Sequence, residues 1–417
     1  MKMKQLLFSL LIGSTVLVLI MNSCKKDEPT PLTLKTIVAG SVDLNAATAP
    51  TGVPVNTSIT VTFSTDVDAA TATAANIILT RDYDDAVITM DIQVSGNTIT
   101  LLPDEYLGTG TLYVLELGEG LLSTEGEALA MVTRSFTTEG TFAPSGAIAY
   151  FTFENNANDV VGDFDPDAAD VVDITYVASH NTAAGQAASF NGSTSLVEIP
   201  SGDQLMNTHD FTLSFWVKTN SADKENGHFV MGLAGWFGFQ FEIFGAYDGC
   251  KLAAQYDLGD GTSASEDLWF NGGSTGTTKD NGGWQGWTFC KDLTGSGGVE
   301  GLLKDKWAHV VCVYNSASKI GTMYINGEMM KSQDFNLWPD GDAKKGVVGL
   351  KYNGDASGNQ LALGFIQGSD NRTISDSWAD PADPANNHFK GVLDDIIVYH
   401  KVVTDAEILL MYNSGKP

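Results

Sequence analysis

The strongest constraint on this chain is a period of two. Over residues 59–63, 77–80, 87–94, 98–102, 111–117 and 132–137, and again over 147–153, 213–218, 307–314, 321–325, 360–365 and 391–399, apolar residues alternate in runs of strand length bounded by turn residues. Such alternation sends successive side chains to opposite sides of an extended strand, so each run must bury one face of a sheet. No long helical periodicity interrupts the runs. The one good helix start is Thr404-Asp405-Ala406-Glu407, a threonine N-cap with glutamate three residues on, ahead of Ile408, Leu409, Met411 and Tyr412. The expected fold class is all-β, with one short C-terminal helix, and 44 glycines suit its many turns.

At 417 residues the chain exceeds one ordinary sandwich. All eight tryptophans follow residue 147, and Pro144 sits between Gly140 and Gly146. We therefore expect one domain over 37–140, a linker over 141–146 and a second domain over 147–417.

The N-terminus reads as an address. Lys2 and Lys4 precede an apolar run over 6–21, shorter than the roughly 20 residues of a spanning helix. The exit Met21-Asn22-Ser23-Cys24 resembles a bacterial lipobox. Residues 1–23 are expected to be a lipoprotein signal peptide, Cys24 the lipid attachment site, and 24–36 a tether. Lys25-Lys26-Asp27-Glu28 resembles the export signal of Bacteroidetes-type surface lipoproteins, so the expected location is the cell outer membrane, lipid-anchored and surface-exposed. Acids outnumber lysine and arginine 51 to 23, giving a net charge of −28 that losing Lys2 and Lys4 deepens by two. That balance excludes nucleic acid and adhesion to anionic lipid, leaving acyl chains as the membrane contact. Cys250, Cys290 and Cys312 remain, an odd number, so at most one disulfide can form, and no Cys-x-x-Cys pair suggests zinc.

Two resemblances follow from the wording of the runs. Pro50-Thr51-Gly52-Val53-Pro54-Val55-Asn56-Thr57-Ser58-Ile59, Val61-Thr62-Phe63-Ser64, Gly110-Thr111-Leu112-Tyr113-Val114 and Ser135-Phe136-Thr137-Thr138 resemble the bacterial Ig-like domain of surface-layer proteins. Beyond the linker, Tyr150-Phe151-Thr152-Phe153-Glu154, Ala188-Ser189-Phe190-Asn191-Gly192, Phe211-Thr212-Leu213-Ser214-Phe215-Trp216, Trp307-Ala308-His309-Val310-Val311, Met323-Tyr324-Ile325-Asn326-Gly327 and Gly391-Val392-Leu393-Asp394-Asp395-Ile396 resemble, in order, the laminin G-like and pentraxin-like branch of the concanavalin A-like jelly rolls. The resemblances imply an Ig-like β-sandwich followed by a jelly-roll sandwich. The first domain is expected to be a spacer, and its Asp82-Tyr83-Asp84-Asp85 run reads as a solvated loop.

Glucanases of the resembled jelly roll carry a Glu-x-Asp-x-x-Glu run, which places acids on one face of a strand. None occurs here: Glu242 stands alone, and Glu266 and Asp267 face opposite ways. No Gly-x-Ser-x-Gly, His-Glu-x-x-His or phosphate loop is present, and His309 reads as a structural histidine of its strand. The chain is expected not to be an enzyme.

Sugar sites combine a flat aromatic ring with a few oriented polar groups. Trp284 and Trp287, set among glycines, Trp338 beside Pro339-Asp340, and Trp378 near Asp376 and Asp380 are the candidate stacking rings. Each also reads as a lid over the core, while Trp216 and Trp307, in strands, read as core. The segment between 218 and 307 is longer than the family's compact members need and reads largely as glycine-rich loop. Its rings Trp236, Phe237, Trp269, Phe270, Trp284 and Trp287 argue that it is ordered. The resemblance also implies structural Ca²⁺ near the ends of the first and last strands, on Glu154, Asp394 and a Gly192 carbonyl; a plain acidic surface is the other reading. The expected function is non-catalytic capture of a glycan or polysaccharide. The alternative is a structural or adhesive envelope protein with protein partners, and glycoside hydrolysis is a distant one.

Overall fold

A computed structural model describes residues 30–46, 48–273 and 287–417. The chain divides into two compact units, one running to Thr138 and the other from Glu139 to Pro417, apart from the Gly108–Gly110 turn, which is grouped with the second. The signal segment and Cys24 lie outside the described residues.

The first unit is a sandwich of two antiparallel sheets. One runs Val42–Asp43, Leu34–Ala39, Ile59–Phe63, Thr98–Pro103, Met90–Ser95, and the other Ala86–Ile88, Ile77–Arg81, Leu112–Leu117, Val132–Thr137. Alternation does what the sequence predicts: Ile59, Val61 and Phe63 point into the core with Ile99, Leu101, Tyr113, Leu115 and Phe136. The run over 87–94 is not one strand, because the chain changes sheets at Thr89, its first part pairing with Ile77–Arg81 and its second with Thr98–Pro103. Gly96, at φ +60°, makes the tight turn that pairs Ser95 with Thr98. In the acidic run, Arg81 grips Asp84 through Nε at 2.9 Å and Nη2 at 2.6 Å, and that bond holds the Asp84 carboxyl below its usual range.

The second unit packs a larger sheet on a smaller one. The larger runs Thr175–Ala178, Gln186–Asn191, Lys390–Tyr399, Phe211–Thr219, Trp307–Asn315, Ile320–Ile325, Glu328–Asp334, Trp287–Cys290, with Ala149–Phe151 added to Lys390–Tyr399. The smaller runs Val171–Val172, Leu196–Ile199, Leu361–Leu363, His228–Gly232, Phe239–Ile243, Cys250–Asp257, Ser263–Phe270, with Gly349–Leu350 paired to Cys250–Asp257. Their inner faces meet in one core that includes Phe151, Phe215, Phe239, Phe241 and Phe270. The 218–307 segment corrects the sequence reading: it supplies four strands of the smaller sheet and an edge strand of the larger, where loop was expected. The C-terminal helix Asp405–Gly415 begins as expected, Thr404 N–H donating to Glu407 Oε2 at 2.9 Å and Glu407 N–H to Thr404 Oγ1 at 3.3 Å. Cys250, Cys290 and Cys312 are buried free thiols.

Candidate functional site

Three neighbouring strands of the smaller sheet send one set of side chains to the core and the other outward. Phe239, Phe241 and Ile243 go inward with Leu252, Ala254, Leu268 and Phe270, so Gln240, Glu242, Lys251, Gln255, Asp267 and Trp269 face out. Register lines them up in rows, Glu242–Lys251–Trp269 and Gln240–Ala253–Asp267. Lys251 Nζ lies 3.3 Å from Glu242 Oε1 and 2.9 Å from Asp267 Oδ2, one ammonium between two carboxylates. Burial raises the Glu242 carboxyl above its usual range despite Lys251. Burial alone would lower Lys251, but Glu242 and Asp267 more than offset it and the ammonium is held more firmly. Gln240 is only 4% exposed; its Nε2 donates to Glu242 Oε2 at 3.3 Å, and its Oε1 has no partner.

Beside this polar row stands an aromatic ladder. The chain leaves His228–Gly232 through a short turn, Gly235–Phe237, made possible by Gly235 at φ +56°, where a Cβ would meet Ile374 Cδ1 at 2.7 Å and Gln240 Oε1 at 3.0 Å. The turn presents Trp236 and Phe237, half-buried, with ring centroids 5.6 Å apart. Trp378 comes from the turn Ser377–Ala379 and stacks on Trp236 at 5.9 Å and 21°. Beneath it, Phe229 and Phe365 belong to a second hydrophobic cluster with Ile366, Ile374 and Ala379. Buried Gln367 holds the loop, its Nε2 donating to the Ile374 carbonyl at 2.8 Å and the Ala379 carbonyl at 2.7 Å. Asn386 Nδ2 donates to the Ser377 carbonyl at 2.8 Å, so the loop that carries Trp378 is pinned from both sides. Trp378 remains 41% exposed.

Of the four rings singled out from sequence, Trp378 alone is shown as an open ring. Trp338, 7% exposed, belongs to the core, with Lys344 Nζ 4.6 Å from its centroid. Trp287, 8% exposed, carries Lys331 Nζ 4.0 Å over its ring and faces Trp269 at 5.9 Å. Both are packed rings, which fits the core-lid reading given for each and not the stacking one, and Trp284 lies outside the described residues. Trp216 is buried, though on the outer face of the larger sheet, stacked 4.1 Å from His180, and Trp307 is half-buried, edge-on to His180. His309 is a buried strand residue as expected, bonded to Ser214 Oγ at 2.9 Å. The sequence reading passed over Gln240 and Lys251, and weighed Asp267 only as a hydrolytic acid beside Glu266. The alternation in Phe239-Gln240-Phe241-Glu242-Ile243 was the signal that could have found this face.

A second polar cluster forms where the last strand bulges. Trp216 pairs with Asp394 and Ser214 with Ile397, and Asp395 takes φ +44°. The extra residue turns Asp394 and Asp395 outward together, between Leu393 and Ile396 in the core. Asp395 accepts from Tyr150 Oη at 2.7 Å and Thr141 Oγ1 at 2.9 Å, and Ser179 Oγ donates to Asp394. His180 Nδ1 donates to the Gly415 carbonyl at 2.5 Å, while Nε2 lies 3.3 Å from Asp395 Oδ2 and 3.5 Å from Asp394 Oδ2. Burial, with Asp395 and then Glu154 as neighbouring charges, raises the Asp394 carboxyl well above its usual range.

The expected calcium ligands divide here. Glu154 is close enough to Asp394 to act on its charge, and it packs against Gly185, where a Cβ would fall 2.1 Å from Glu154 Oε1. Among the described residues the groups close enough to share one ion are His180, Asp394 and Asp395, an imidazole with two carboxylates, and Glu154 is not one of them. Gly192 does not join them. It follows the Asn191–Lys390 pair, four residues along from Asp394, and its nearest neighbour is the Lys390 side chain.

Comparison with known proteins agrees with this architecture. Residues 40–138 match the bacterial Ig-like domain family, and residues 191–368 match the concanavalin A-like lectin/glucanases superfamily. The chain thus carries a bacterial Ig-like domain followed by a concanavalin A-like domain. No curated protein matches it. Among solved structures, the binding domain of Paraclostridial Mosquitocidal Protein 1 aligns at 12% identity over 64% of this chain and 52% of that one, TM-score 0.41. The botulinum neurotoxin type G receptor-binding domain aligns at 13% over 64% and 51%, TM-score 0.37. Domain 4 of a family GH43 extracellular arabinanase from Geobacillus stearothermophilus, solved with arabinotriose, aligns at 18% over 64% and 98%, TM-score 0.37. The alignment spans about half of each toxin domain.

Proposed function

We propose that this protein is a lipid-anchored lipoprotein of the outer membrane surface whose concanavalin A-like domain captures glycan on the outer face of its smaller sheet, without hydrolysing it. The observation that carries the reading is Trp378, an open ring stacked on Trp236 and held by Gln367 and Asn386 beside outward-facing polar groups. A pinned, exposed ring gives the C–H face of a sugar a surface already in place, so little ordering opposes binding. Glu242 and Asp267 do converge, as paired glycosidase acids do, but Lys251 lies between them, where a glycosidic oxygen or water would have to be. That arrangement favours holding a sugar over cleaving it.

Cys24 supplies the anchor in this account, and the Ig-like domain acts as a spacer. Asp394, with the exposed Glu154 nearby, would hold Ca²⁺, whose charge offsets the repulsion of the buried Asp394–Asp395 pair and steadies the first and last strands. The test is a glycan array probed with the soluble chain from Lys25 onward, without the anchor: binding to at least one polysaccharide family supports the reading, and a blank array at micromolar protein contradicts it.

A further inference from the structure

We infer that this face takes glycans that carry no acidic group, and that the Glu242–Lys251–Asp267 bridge is the element that excludes uronic, sialic and sulfated sugars. The inference deepens the glycan-binding reading and rests on it.

Recognition of a carboxylate or sulfate needs a cation or a set of free donors aimed at the ligand. The segments that build the face, 229–270 and 364–389, contain ten acids and only two lysines or arginines, Lys251 and Arg372. Both cations are already engaged. Lys251 Nζ sits between Glu242 and Asp267 at 3.3 and 2.9 Å, and Arg372 Nη1 pairs with Asp380 Oδ1 at 2.5 Å. An acidic sugar would have to displace a carboxylate from one of them.

The unsatisfied capacity has the opposite sense. Gln240, buried at the foot of the Trp236 turn, has a carbonyl oxygen with no partner, beside Glu242, whose carboxylate accepts from Gln240 Nε2. The acceptor open to a ligand is the Asp267 carboxylate, 40% exposed, to which a sugar hydroxyl can donate, whereas a carboxylate or sulfate brings only further acceptors. The net charge of −28 adds repulsion toward polyanions at distances within the screening length, about 8 Å in physiological salt.

The test uses the same soluble chain at about 0.15 M salt, with arabinan, xylan, laminarin and cello-oligosaccharides as neutral probes and polygalacturonate, alginate, heparin and sialyllactose as acidic ones. Wild type is expected to bind within the neutral set only. Asp267→Asn and Glu242→Gln, each checked for an intact melting transition, should release Lys251 and raise affinity for polygalacturonate about tenfold or more. Wild-type binding to an acidic probe that Trp378→Ala abolishes would overturn the inference and leave glycan binding standing. Failure of both folded variants to gain polygalacturonate affinity would overturn the role of the bridge. Absence of binding to either set would overturn the inference together with the reading beneath it.

Discussion

Replacing Trp338 by alanine separates a packing ring from a ligand-stacking ring. Trp338 is 7% exposed, lies in the main core cluster and has Lys344 over its face. An indole of roughly 150–250 Å² buried at about 25 cal/mol/Å² contributes about 4–6 kcal/mol, in line with the 3–5 kcal/mol that large-to-small core changes cost. Losing the cation–π contact adds about 0.5–1 kcal/mol. Against this, the indole N–H is buried without a partner, and removing it relieves about 1–3 kcal/mol. The expected net loss is about 3–4 kcal/mol, which at roughly 2–4 °C per kcal/mol lowers the melting temperature by about 6–16 °C. Intrinsic tryptophan fluorescence is the natural assay, because every tryptophan follows residue 147 and the signal reports the second unit alone. A loss below about 1 kcal/mol, or a fall in glycan affinity with the transition unmoved, would refute the argument and return Trp338 to the platform.

Burial holds the His228 and His309 imidazoles down to about 3, with Lys224 adding to the effect on His228 and His180 to that on His309. The unfolded chain therefore binds protons that the native state refuses: their contribution is intact above about pH 6.5 and is lost as pH falls toward 3, each histidine adding up to about 1.4 kcal/mol per pH unit. His309→Gln should flatten the slope of urea stability between pH 6.5 and 5 by about that amount, and an unchanged slope would contradict the burial argument. Millimolar Ca²⁺ should raise the melting temperature of the second unit, by about 2.7 kcal/mol of stability at a hundredfold excess over Kd; the same rise in Asp394→Ala would remove Asp394 from the site. Cys24→Ser should move the protein from the membrane fraction to the soluble one, and continued sedimentation with outer membrane would defeat the anchor.

Much of this fold could be read from local pattern. The runs at 59–63 and 132–137 became strands with those bounds, and the capping box at Thr404 started a helix where it stood. Each depends on residues close in sequence, which is where alternation and capping act. The 218–307 segment was misread because its glycines drew attention to turns, although Phe239–Ile243 alternates as plainly as any strand in the chain. The candidate site was harder for a physical reason. Lys251 meets Glu242 and Asp267 only through the register of three strands, and Trp378 meets Trp236 across more than a hundred residues. Trp338 and Trp378 both neighbour aspartates, so composition around a ring did not distinguish the core ring from the open one. The Asp394–Asp395 pair was visible as two adjacent acids, but their shared face depends on the bulge at Asp395, and His180 reaches them from elsewhere in the chain.

The central claim, that an open ring on the smaller sheet holds sugar, is tested most directly by titrating Trp378→Ala with a polysaccharide that wild type binds, alongside its thermal melt. Truncation removes a ring that is 41% exposed, stacked on Trp236 and edge-on to Phe229, so at about 25 cal/mol/Å² over its buried part the fold should lose about 2–4 kcal/mol, and affinity is read below the melting transition. Binding should fall by about 1–3 kcal/mol, roughly fivefold to 150-fold. Affinity within error of wild type in a folded Trp378→Ala protein would contradict the account.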